Sequence, residues 1–172
     1  MGKYAMKTQN IHIIGAGLAG ALLAILLVQK GHRVKVFEKR SDPRKSGMES
    51  GRSINLALAY RGLYALQQAG LDDAIMRQVV MMRGRMVHDI EGNNHFLRYG
   101  NDDSEVIWSV HRGRLNLALI EAAEQQGVHI QFGAKIENLD VAEQIFQYTQ
   151  DGLCHFESYE RLIASDGAGS SI

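Results

Sequence analysis

The apolar positions change period repeatedly along this chain, and each change predicts an element. Ile11-His12-Ile13-Ile14 is a short β-type run, and Leu18 to Val28 is an almost unbroken apolar stretch of helix length. Arg33-Val34-Lys35-Val36-Phe37 alternates as a strand does. A polar loop from Ser41 to Ser50 holds the only proline, Pro43, and leads into Gly51-Arg52-Ser53-Ile54-Asn55-Leu56-Ala57-Leu58. Helices are predicted at Arg61 to Ala69 and Leu71 to Gln78, with Gly70 as the cap between them. Met82 to Ile90 and His95 to Tyr99 read as two strands around Glu91-Gly92-Asn93-Asn94, followed by a β run at Val106 to Val110. Leu115, Ala118, Leu119 and Ala122 form one helix face. The last third is strand-rich, at His129 to Gly133, Ile136 to Val141, Ile145 to Thr149, His155 to Tyr159 and Arg161 to Ser165. The expected architecture is α/β, a Rossmann-like βαβ fold carrying an antiparallel portion, read as one domain with a β-rich insertion at about 82–110.

Chemistry enters at the first change of period. Gly15-Ala16-Gly17-Leu18-Ala19-Gly20 lies between the first strand and first helix, the setting that gives a GxGxxG its meaning. Gly15 permits the tight turn, Gly17 lets backbone approach a pyrophosphate, and Gly20 lets helix and strand pack closely. The helix opening at Leu18 offers unpaired amides and the positive end of its dipole to an anion. No basic side chain lies between His12 and Gln29, so those amides are the available cation substitute. Glu38 follows Gly20 by 18 positions, where a carboxylate accepts hydrogen bonds from a ribose and repels a 2′-phosphate. FAD or NAD fits this site better than NADP.

Composition narrows the class without choosing the chemistry. With 172 residues, 45% apolar and 22% charged, the chain matches an ordinary globular domain. Nineteen basic residues balance nineteen acidic ones, which leaves no electrostatic footprint for nucleic acid or an anionic membrane. The apolar stretch from Leu18 is too short for a bilayer span of about 20 residues, and Met1 to Asn10 lacks a secretory signal's apolar run. A single Cys154 excludes an internal disulfide and a cysteine-based metal site and suits a reducing cytoplasm. The seven histidines lack ligand spacing, so no metal is expected.

Three basic or acidic positions have two readings each. A hairpin centred on Gly92 makes Arg85 and Tyr99 direct cross-strand neighbours, able to converge on one ligand carboxylate; alternatively Arg83 and Arg85 belong to a solvated face. Arg112 and Arg114 occupy the first turn of a helix, where cations are disfavoured, so they either face solvent or meet a negative group such as a cofactor phosphate. Asp166-Gly167 ends the final strand as either a surface turn or part of a site.

Taken in order, Gly15 to Gly20 with Glu38, Gly51-Arg52-Ser53 and Asp166-Gly167-Ala168 resemble the class A flavoprotein aromatic hydroxylases. The blocks Gly51 to Leu58, Met82-Arg83-Gly84-Arg85-Met86-Val87-His88, Tyr99-Gly100 and Ser109-Val110-His111-Arg112 resemble the branch that hydroxylates L-kynurenine. The resemblance implies that Glu38, Arg40, Ala57, Arg112 and Asp166 lie along FAD, while Arg85 and Tyr99 hold the substrate's carboxylate. It implies NADPH and O2 as co-substrates and oxygen transfer through a flavin C4a-hydroperoxide to give 3-hydroxykynurenine, with no acid-base residue named. The family's Gly-Ala-Asp-Gly stands here as Ala164-Ser165-Asp166-Gly167, which alters the contacts around Asp166. Family members are longer, so the chain is expected to be the N-terminal part of an enzyme and inactive alone; some eukaryotic members use a C-terminal helical region as a membrane anchor. Two other classes remain open on the residues alone, an NAD-dependent dehydrogenase and a non-catalytic nucleotide-binding module.

Overall fold

The computed structural model describes residues 7–45 and 54–170; the Gly51-Arg52-Ser53 block lies outside them. In chain order the elements are β1 Asn10–Ile14, α1 Leu18–Gln29, β2 Arg33–Glu38, β3 Asn55–Leu58, α2 Tyr60–Gln68, α3 Asp72–Met76, β4 Val80–Met82 and β5 Gly84–His88. They continue with β6 Asn94–Arg98, β7 Ile107–His111, α4 Arg112–Gln125, β8 His129–Phe132, β9 Lys135–Asp140, β10 Ile145–Gln150, β11 Leu153–Ser158 and β12 Arg161–Ala164. The chain forms two compact units, Met1–Gly51 with Asn116–Ile172, and Arg52–Leu115.

The first unit is built on a parallel sheet of order β12-β1-β2-β8. Side chains alternate across it. Ile13 and Val36 are fully buried on one face, and α1 buries Gly20, Ala21, Ala24 and Ile25. On the other face Ile14 and Phe37 meet Ala134, just before β9, and Ile136, Phe146 and Tyr148 from the antiparallel sheet β11-β10-β9. Phe37 and Phe146 pack edge to face with ring centroids 4.9 Å apart. Register in the β10–β11 hairpin is set by Asp151-Gly152, both at positive φ, the two-residue turn whose twist matches the strands it joins.

The second unit contains the sheet β3-β7-β4, the helices α2 and α3, and the separate hairpin β5–β6. Gly70 ends α2 as expected, at φ +70°: its amide donates to Gln67 O and that of Leu71 to Leu66 O. Two expectations need correction. The strand read as Met82 to Ile90 is two strands, because β4 pairs with β7 and β5 pairs with β6. The hairpin is centred on Glu91 rather than Gly92, so Arg85 lies opposite Leu97, and the Tyr99 amide bonds to Arg83 O. The cause is the turn: Ile90-Glu91-Gly92 is a three-residue loop in which Gly92, at φ +88°, is the last residue. Asp89 Oδ1 accepts the amides of Glu91 and Asn93 and fixes this geometry.

Candidate functional site: a glycine turn, a buried glutamate and a diagonal pair

In the first unit the end of β1 turns sharply into α1. Gly15 sits at φ +98°, and a Cβ there would press on Ser165 O and the Asp166 backbone. At Gly20 a Cβ would overlap the Gly15 carbonyl and reach 2.5 Å from Ser165 Oγ. Gly17 is different: a Cβ there would meet nothing within 4 Å, so the space beside its backbone is open. The first helical hydrogen bond of α1 runs from Ala21 N–H to Gly17 O at 2.9 Å. The amides from Gly17 to Gly20 precede it and face no side-chain cap, which leaves a row of donors.

Glu38 closes the far side. The residue is 4% exposed, yet its carboxylate is met by a full set of donors. Oε2 accepts the Ala16 amide at 2.8 Å, and Oε1 accepts the Arg40 amide at 2.9 Å. Arg40 also donates Nε to Oε1 at 2.9 Å and Nη2 to Oε2 at 3.1 Å. Burial pushes the Glu38 carboxyl up, but the donors from Arg40 and Ala16 together outweigh it and hold the group below the ordinary glutamate value. Gly15, Gly17, Leu18, Gly20, Glu38, Arg40 and Asp166 therefore gather at one end of the parallel sheet. An open cradle of amides beside an ionised buried carboxylate fits a dinucleotide.

The other expected residues belong to the second unit. Ala57 lies on β3 opposite Ser109 of β7, and Arg112 begins α4 with an exposed side chain while its amide donates to Ile54 O at 3.1 Å. Arg85 and Tyr99 share one face of the hairpin as diagonal neighbours, both exposed. Tyr99 faces Arg83, whose guanidinium is taken by Asp103 at 3.0 Å. Arg85 makes no ion pair among the described residues, which leaves its fork open to a ligand. Two residues at the glycine turn escape motif reading, Asn116 and Ser165. Ser165 was visible only as a departure from the family pattern, and Asn116 had no local signal.

The FAD binding domain family matches residues 7–171. The chain is 53% identical over 169 residues to kynurenine 3-monooxygenase of Xanthomonas euvesicatoria pv. vesicatoria (strain 85-10), covering 97% of this chain and 37% of that protein. It is 50% identical to kynurenine 3-monooxygenase of Stenotrophomonas maltophilia (strain K279a), with 98% and 37% covered. The chain thus spans little more than a third of the length of these curated relatives. Among solved structures, p-nitrophenol 4-monooxygenase from Pseudomonas putida DLL-E4 superposes with a TM-score of 0.80 at 20% identity, over 95% of this chain and 42% of that one. A myxobacterial chondrochloren halogenase gives 0.76 at 19% identity, over 96% and 38%. These two show a shared fold, and with the glycine turn, Glu38 and the family match they lead to one conclusion: the chain belongs to the FAD-binding domain family.

Proposed function

We propose that this chain is the FAD-binding part of an NADPH-consuming monooxygenase that hydroxylates L-kynurenine to 3-hydroxykynurenine. The observation that carries the reading is the identity of about half over nearly the whole chain to proteins named for that reaction. The bound FAD, once reduced by NADPH, supplies the activation of O2. The chain's own residues bind, orient and exclude water. Amides from Gly17 through Leu18 to Gly20 hold the pyrophosphate, Glu38 takes the ribose, and Arg40, Ala57, Arg112 and Asp166 lie along the cofactor. Arg85 and Tyr99 hold the amino-acid carboxylate; their position as diagonal neighbours on one hairpin face supports this reading. The reaction belongs to the complete enzyme, and the 172-residue chain supplied with FAD and NADPH is expected to yield no 3-hydroxykynurenine.

The test is Arg85→Ala in the complete protein. A charge-assisted bond is worth about 1.5–3 kcal/mol, so the dissociation constant for kynurenine should rise about tenfold to a hundredfold. Folding should not change, because the Arg85 side chain is exposed. A dissociation constant equal to the parent's rejects the carboxylate assignment.

A further inference from the structure

The peptide groups of the glycine turn are anchored one by one, each from a different element. Gly15 N–H donates to Phe37 O at 2.7 Å, and Ile14 O accepts the Ser165 amide at 2.8 Å. The Gly15–Ala16 peptide is held at both ends. Its N–H donates to Glu38 Oε2 at 2.8 Å, and its carbonyl accepts from Ser165 Oγ at 3.0 Å, a hydroxyl proton shared with Ile14 O at 2.9 Å.

The next peptide, Ala16–Gly17, is held at one end. Its carbonyl accepts from Asn116 Nδ2 at 3.1 Å, a bond spanning 100 positions of sequence from the second turn of α4. A trans peptide sends its carbonyl and N–H in opposite directions. Anchoring Ala16 O on Asn116 therefore turns Gly17 N–H away from α4 and into the row of free donors. Were this peptide to flip, a carbonyl oxygen would face the anion and repel it. Gly17 offers no Cβ to resist such a flip, and nothing lies within 4 Å of where one would sit.

We propose that Asn116 is a positioning residue for the cofactor's pyrophosphate, acting through the Ala16–Gly17 peptide, with Ser165 fixing the peptide before it. The proposal rests on the FAD reading, and its effect lies on cofactor affinity rather than on the stability of the apoprotein. A carbonyl is the only partner of the Asn116 amide nitrogen in this contact, so a side chain that cannot donate loses it.

The test uses the complete protein stripped of FAD and titrated with FAD by flavin fluorescence, with thermal unfolding of each apoprotein alongside. Asn116→Ala should weaken FAD binding about tenfold at any pH, the scale of one lost hydrogen bond plus freedom to flip. Asn116→Asp should weaken it more near pH 8, where the new carboxylate has no proton to donate and sets a negative charge against Ala16 O. Apoprotein melting should stay at the parent value in both variants. Dissociation constants within about twofold of the parent for both variants overturn the proposal. So does a loss of binding matched by collapse of both apoproteins. A parent protein that takes up no FAD removes the cofactor reading itself, and this proposal with it.

Discussion

The Arg40 guanidinium lies side-on to the Glu38 carboxylate, and with the Arg40 and Ala16 amides it fills all four of that group's acceptor positions. A ribose hydroxyl reaching Glu38 must take one of them. The amide of Ala16 belongs to the glycine turn and cannot leave, whereas the Arg40 side chain is almost half exposed and can. On the proposed reading, Arg40 would be the group to yield to a ribose hydroxyl.

The same pair sets an acid limit. The folded Glu38 carboxyl titrates below its unfolded value of 4.5, so its contribution to stability is present above that pH and is lost as pH falls through the folded value. Arg40→Ala removes side-chain donors and leaves burial opposed mainly by two backbone amides. The carboxyl then rises, and the acid loss begins at higher pH than in the parent. Urea midpoints measured across the acid range check this, and coincident profiles for parent and Arg40→Ala would refute it.

Gly17 and Gly20 should fail differently. Gly20→Ala drives a methyl into the Gly15 carbonyl and the Ser165 hydroxyl, where backbone must move, and is expected to cost about 1–3 kcal/mol or more in stability. Gly17→Ala adds a methyl to open space at φ −69°, which any residue adopts, so stability should hold or rise slightly. That methyl stands where a pyrophosphate would approach. FAD affinity should fall in Gly17→Ala without any change in melting temperature. Paired melting curves and FAD titrations separate the two, and a Gly17→Ala protein that binds FAD like its parent contradicts the assigned role.

His12 carries a second, milder pH response. It lies between Phe37 and Phe146 with Nδ1 buried and unpartnered, and Nε2 3.6 Å from Glu157, which also pairs with Lys35. Burial lowers its pKa; Glu157 opposes this and Lys35 adds to it. Since the unfolded chain binds the proton more readily, stability is complete above 6.5 and declines as pH falls from there toward the folded value. His12→Phe keeps the aromatic packing and removes both the titration and the orphaned nitrogen. Its stability should be flat through that window, and a decline equal to the parent's would show that another group titrates.

The legible parts of the chain were those whose physics is local. The glycine turn, Glu38 and the strands of the last third each follow from spacing within a few residues. β3 and β4 were hidden because each is short and pairs with β7, far along the chain. Asp151-Gly152, not singled out in the sequence, holds the β10–β11 register. The β5–β6 register is not legible locally, because a glycine can stand in the middle of a hairpin loop or at its left-handed end, and Gly92 stands at the end. Asn116 could not be read at all, since an asparagine on a helix acquires its role only when the fold brings Ala16 to it.

The hairpin β5–β6 is a ribbon of two strands with nearly every side chain in solvent, Met86, Phe96 and Leu97 among them. Two strands without a third open at little free energy. Amide hydrogens from Arg85 to Tyr99 should therefore exchange with solvent soonest among the strands described. A ligand bridging Arg85 and Tyr99, as proposed, would staple the two strands together, so this arm would take its rigidity from the molecule it holds.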